Sequence, residues 1–284
     1  MQMQRTIKDT VNVTGIGLHT GNMVNVKLKP AEEYTGIVFH RTDVTAGAGS
    51  ITVCASAVCD FQLCTQIQNE HKVKVGTIEH LMAALFALGI DNIIVELDAE
   101  ELPVLDGSSA PWVELIDKVG VVEQEDPRKQ IKILKEVVVK EGNSAASVKP
   151  AGDFGLHVFV HYGSQIPPQK DDFKGTEFEF RRNLMKARTF CFERDIEYMR
   201  SMGLAKGGSL ENAVVFDESG KPLNEDGLRY KDEPLRHKAL DAMGDLYISG
   251  YRIVGHFNLT RPGHEMNNRL LRAILENPEN WKWV

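Results

Sequence analysis

The sequence predicts an α+β protein of two similar domains, and three observations predict it. A Lys-Pro-Ala break recurs at Lys29-Pro30-Ala31 and Lys149-Pro150-Ala151. Each half later carries one strong helix followed by a strand, and a charged, proline-bearing link, Glu123 to Lys129, lies between the halves. The division expected is residues 1–125, with an insertion at about 42–75, and residues 126–284, with an insertion at about 190–218.

Residues 10–41 read as short strands punctuated by Gly15, Gly17, Gly21 and Pro30. Val11 and Val13 alternate, Val24, Val26 and Leu28 alternate again, and Gly36 to His40 resumes the extended chain. In the second half Val137 to Val139 precede Gly142, and Gly155 to Val160 resumes after the break. The first helix starts with Thr77 as its cap and runs through His80 to Leu85; Gly89 ends it before the strand Asn92 to Leu97. The second follows Pro234, runs from about Leu235 to Tyr247, and is stopped by Gly250 before a strand from Tyr251 to Phe257. A last helix is expected from Met266 to Leu275.

A chain of 284 residues, 42% hydrophobic, can bury a sizeable core and suits two domains at roughly 100–200 residues each. With 26% charged residues and a net charge of -7, it has no broad basic field, so a nucleic-acid partner is not expected. The amino terminus lacks the apolar run of about 7–15 residues of a secretory signal, and no apolar stretch of about 18 residues offers a membrane span. A cytoplasmic location is expected. The four cysteines, Cys54, Cys59, Cys64 and Cys191, then stay reduced, and none of their spacings is Cys-x2-Cys.

The chemistry gathers on the two helices. His237 and Asp241 are four residues apart, one above the other, where they can grip a cation, and Asp245 continues the stripe. Such a stripe can also simply face water, but Leu240, Met243, Leu246 and Tyr247 leave little room for a solvated helix. Glu79-His80 occupies the corresponding place on the first helix, so two facing helices would supply a third ligand. Two histidines and one carboxylate leave a position open for water. Glu79 could accept that water's proton; the alternative is a carboxylate favoured by a helix amino terminus. His264, in the turn Arg261 to Glu265, is either a surface histidine or the acid that protonates a departing amine, with Asp245 holding it as imidazolium.

With these residues assembled, the sequence resembles the UDP-3-O-acyl-N-acetylglucosamine deacetylases, zinc enzymes of bacterial lipid A synthesis, over nearly its whole length. The resemblance is carried by Thr14 to Gly21, Thr77 to Leu85, Leu105 to Ser108, Lys206 to Ser209, Arg236 to Leu246 and Gly263 to Asn268. It implies a β-α-α-β sandwich, two domains packing their helices together between outer sheets. It also implies Zn2+ on His80, His237 and Asp241, with Fe2+ as a cellular substitute. Glu79 would be general base, His264 general acid with Asp245 behind it, and Thr189 the donor to the oxyanion. The reaction implied is loss of acetate from UDP-3-O-acyl-N-acetylglucosamine, an early committed step of lipid A synthesis.

Lys238, next to His237 on the helix, is expected to face another side of the pocket from the metal stripe, and the resemblance places it against the sugar-diphosphate. Phe190 and Phe192 would shape the sugar pocket. An apolar passage for the acyl chain would take Ile196, Leu204, Ala205, Ser209, Leu210, Ala213 and Val215, with Leu18, His19 and Cys64 nearby; a small core would need the same apolar residues. A monomer is expected, and because some relatives are fused to a dehydratase, a fusion in the full-length protein is allowed for. The chain departs from the family pattern at Cys191, where many relatives have glycine, and at His161 to Gln165, so nucleotide contacts there do not carry over. A different N-acetylated sugar as substrate, or a non-catalytic nucleotide-sugar binder, are the competing readings.

Overall fold

Alternation of apolar and polar residues builds the two main sheets of the computed structural model, which describes residues 2–284. In the strand Met23–Pro30, Val24, Val26 and Leu28 turn inward while their neighbours face out, as a strand with one wet face requires. The first five-stranded sheet runs Val11–Ile16, Met23–Pro30, Ile93–Leu97, Ile37–Arg41, Ser50–Thr52. The second runs Val137–Glu141, Ser144–Lys149, His256–Thr260, Gly155–Tyr162, Ile166–Lys174. In each, the strand that follows the long helix enters the middle, antiparallel to the second strand and parallel to the third. The Lys-Pro-Ala repeat is therefore a repeat of topology.

Among the described residues, the six α-helices are α1 (Glu79–Leu88), α2 (Ala110–Val119), α3 (Glu177–Asn183), α4 (Glu193–Ser201), α5 (Glu233–Tyr247) and α6 (His264–Glu276). Every residue of α1 is buried, and thirteen of the fifteen in α5 are, which marks both as core helices rather than surface ones. They pack against each other so closely at Gly244 that a Cβ there would fall on the carbonyl of Glu79. One continuous apolar core joins inward residues of both sheets, such as Phe39, Val95, Val158 and Phe257, to Leu81, Leu85, Leu240 and Met243 of the helices. No helix is long and apolar enough to cross a membrane among the described residues.

Four local expectations are revised. Thr77 does not cap α1: it lies at φ 56°, and its hydroxyl donates to Glu101 at 2.8 Å, leaving Ile78 at the cap position. The strand expected from Tyr251 to Phe257 is two, Arg252–Val254 and His256–Thr260, in different sheets. They part at Gly255, where a side chain would collide with Ile133 and Val148. His264 is the first residue of α6 rather than a loop residue. Glu123 to Lys129 is no loose link either: Val121–Pro127 pairs antiparallel with Met3–Ile7, and the Arg128 guanidinium binds Asp91 at 2.7 Å.

The first insertion contributes Ser50–Thr52 to the main sheet and otherwise forms a small antiparallel sheet of Val58–Asp60, Gln66–Gln68 and Lys74–Val75. The second holds α4 and a parallel pair, Phe190–Phe192 with Val214–Phe216.

Candidate metal centre and its cavity

One turn of α5 stacks His237 over Asp241, and α1 presents His80 to the same point. Asp241 Oδ1 stands 3.3 Å from His237 Nε2 and 3.7 Å from His80 Nε2, and the two imidazoles meet edge to face at 5.0 Å. All three ligand atoms lie within 4.8 Å of one another. Burial pushes His237 down to about 3 and lowers His80, so both rings are neutral and offer lone pairs. Burial alone would keep Asp241 protonated, but the Lys238 ammonium, with its Nζ 2.8 Å from Oδ2, opposes it and favours the ionised carboxylate.

The Asp241 Oδ1 atom is fully buried and accepts no hydrogen bond. A buried ionised oxygen with no donor is costly unless a cation completes it. His237 Nδ1 must carry the proton, because it donates to the Ala187 carbonyl at 3.0 Å, which leaves Nε2 free for a metal. That carbonyl is itself fixed: the buried Arg188 beside it pairs with Glu233, at the start of α5, at 2.9 Å. Two neutral imidazoles and one carboxylate with an orphaned oxygen thus fit a divalent cation with a further position open to the cavity.

Glu79 adjoins His80 in α1, and burial raises its carboxyl to about 7. Its Oε1 lies 3.8 Å from His264 Nε2. His264 Nδ1 lies 2.9 Å from Asp245 Oδ2, which also accepts from Asn267 at 2.8 Å. Burial opposes a charge on His264, yet Asp245 and Glu79 outweigh it and bring its pKa to about 9. The site therefore places an acceptor near neutrality beside a protonated imidazole.

These groups open into a cavity of about 580 Å³. Thr189, Phe190, Ile196, Ala205, Ser209, Leu210, Ala213, Val215, Leu18 and His19 line it together with Lys238. Three further residues do not line it. Cys64 and Leu204 line a smaller polar pocket beside it, and Phe192 packs behind it against Tyr162 and Phe216. Lys238 does not keep clear of the metal stripe: one turn of helix lets its Nζ reach Asp241 Oδ2 at 2.8 Å. Thr189 is anchored through its backbone, donating to Gly107 and accepting from Val214, and it lines the cavity.

Sequence reasoning missed Thr65 and Asn267, which both bond Asp245. It also missed Phe61, Leu63 and Met199 in the cavity wall. Asn267 had a readable signal, three residues beyond His264 on one helix; Thr65 had none, since 180 residues separate it from Asp245.

The family described as UDP-3-O-acyl N-acetylglycosamine deacetylase matches residues 4–276. The chain is 46% identical over 289 aligned positions to the UDP-3-O-acyl-N-acetylglucosamine deacetylase of Histophilus somni, covering 100% of this chain and 93% of that one. It is also 46% identical to the enzymes of that name from Shewanella violacea, 100% and 93% covered, and Haemophilus ducreyi, 100% and 94% covered.

Proposed function

Because the chain belongs to the UDP-3-O-acyl N-acetylglycosamine deacetylase family, a family of metalloenzymes, we propose that it removes the N-acetyl group of UDP-3-O-acyl-N-acetylglucosamine with Zn2+ on His80, His237 and Asp241. The observation that carries this reading is the orphaned Asp241 oxygen beside two neutral imidazoles, with Glu79 and His264 at the same end of an apolar-lined cavity. The product would enter lipid A synthesis, and the chain would work in the cytoplasm as a monomer.

When bound, the zinc supplies Lewis acidity, polarising the acetamide carbonyl and bringing a water's pKa towards about 7. Glu79 accepts the proton of the attacking water through the oxygen it turns to the cavity. The water oxygen bonds to the acetyl carbon, and the Thr189 hydroxyl donates to the developing oxyanion; such a donor contributes about 2.7–4 kcal/mol. His264, held as imidazolium by Asp245, gives its proton to the nitrogen as the carbon–nitrogen bond breaks, leaving acetate and a free amine. Lys238 neutralises the outer oxygen of Asp241 and presents the rest of its charge to the sugar-diphosphate. The acyl chain lies along Ile196, Leu210, Ala213 and Val215.

The test is acetate release from the acylated nucleotide sugar and from its deacylated counterpart. Fast release from the first and slow release from the second is expected; equal rates would remove the acyl passage from the account. A pure nucleotide-sugar binder would release none.

A further inference from the structure

Thr65 has no part in the mechanism above, yet two of its participants are held by it. It lies two residues beyond Leu63, whose φ of 62° is in the left-handed region, and it is 1% exposed. Its backbone N–H donates to Glu79 Oε2 at 3.1 Å, and its hydroxyl donates to Asp245 Oδ1 at 2.7 Å. The remaining oxygens of both carboxylates face His264: Asp245 Oδ2 at 2.9 Å from Nδ1, and Glu79 Oε1 at 3.8 Å from Nε2. Glu79, Thr65, Asp245 and His264 therefore close a ring, with one oxygen of each carboxylate on Thr65 and the other towards the imidazole.

We propose that Thr65 is a positioning residue for this deacetylation, locking the general base and the carboxylate behind the general acid into one unit through its N–H and its hydroxyl. The inference rests on the deacetylase reading above. With Oε2 occupied by the Thr65 N–H, Glu79 is left with Oε1 directed to the cavity. With Oδ1 occupied by the Thr65 hydroxyl, Asp245 cannot rotate away from His264, and part of its negative charge is drawn off the His264 side. Ionised carboxylates only accept, so both donations run outward from Thr65. A Thr that merely pinned the insertion to the core would need neither the hydroxyl nor its bond to a charged partner.

The experiment compares zinc-loaded wild type, Thr65→Val and Thr65→Ser for kcat, KM, metal content and pH dependence. The titratable groups facing His264 are Asp245, Glu79, Asp241, His80 and His19, and none is altered in these variants. Thr65→Val is expected to lower kcat roughly tenfold, the size of a lost hydrogen bond to a charged group, with KM and metal content unchanged. It is also expected to move the basic limb of the profile upward, because Asp245 without its donor holds the His264 proton more tightly. Thr65→Ser should restore both. If Thr65→Val does not fold, Thr65→Ala, which leaves room for a water, is read in the same way. Unchanged kcat with an unmoved basic limb, or equal losses in the serine variant, would overturn the proposal. Failure of the deacetylase reading is separate, since it appears as absence of acetate release by the wild type.

Discussion

At the scale of single residues, charge state decides what each group can do. In the proposed roles, Glu79 near 7 and His264 near 9 would give a bell: below the first the base is protonated, and above the second the acid has lost its proton. A bound cation beside Glu79 favours its ionised form, so the acidic limb of kcat/KM is expected at or below about 7. The basic limb is expected near 9, as Asp245 and Glu79 set it. A profile still rising above pH 10 would exclude His264 as the acid. Glu79→Ala should keep its zinc, because His80, His237 and Asp241 remain, and lose about 10²–10⁴-fold in kcat; zinc analysis beside an acetate assay reads both. The His237 and Asp241 stripe was legible because helical periodicity alone puts residues four apart together. Lys238 was misjudged by the same periodicity applied too rigidly, since a long flexible stem reaches a residue one turn on.

At the scale of elements, the metal geometry is the geometry of α1 against α5. His80 and Asp241 come from different helices, so the space between their side chains follows the distance between the two axes. Gly244 sets that distance by leaving the Glu79 carbonyl room to approach. Gly244→Ala is expected to force the helices apart at a cost of about 1–3 kcal/mol and to weaken zinc binding at the same time. Thermal melting of the metal-free protein and zinc titration measure the two effects; a normal zinc affinity would mean that the helix spacing does not control the site. The helices themselves were legible as apolar runs ended by Gly89 and Gly250. Their starts were less so, because Thr77 spends its hydroxyl on the buried Glu101 rather than on the helix, a tertiary contact that no local pattern announces. The break at Gly255 was hidden for a related reason: the residues that exclude a side chain there, Ile133 and Val148, are remote in sequence.

At the scale of the whole molecule, two copies of one topology meet at the site, and the proposed metal would join them, since its ligands come from α1 and α5. On the proposed reading zinc would bind only when both halves are folded, and it would then stabilise the native chain by about 4.1 kcal/mol at a thousandfold excess over Kd. Chelation should therefore lower Tm by roughly 8–16 °C, at about 2–4 °C per kcal/mol, and zinc should restore it; calorimetry with and without chelator reads the shift, and an unmoved Tm would argue against a site joining the halves. The repeat was legible from Lys-Pro-Ala and the paired helices, whereas the pairing of Met3–Ile7 with Val121–Pro127 and the ion pair that ties Arg128 back to Asp91 were not. The strand pairing joins residues more than a hundred positions apart and the ion pair residues 37 apart, whereas sequence patterns speak mainly of neighbours. The most direct measurement of the central claim is acetate release from UDP-3-O-acyl-N-acetylglucosamine by the chelated chain before and after zinc is returned. The account predicts loss of release on chelation and recovery with one zinc per chain; undiminished release from the metal-free chain would contradict it.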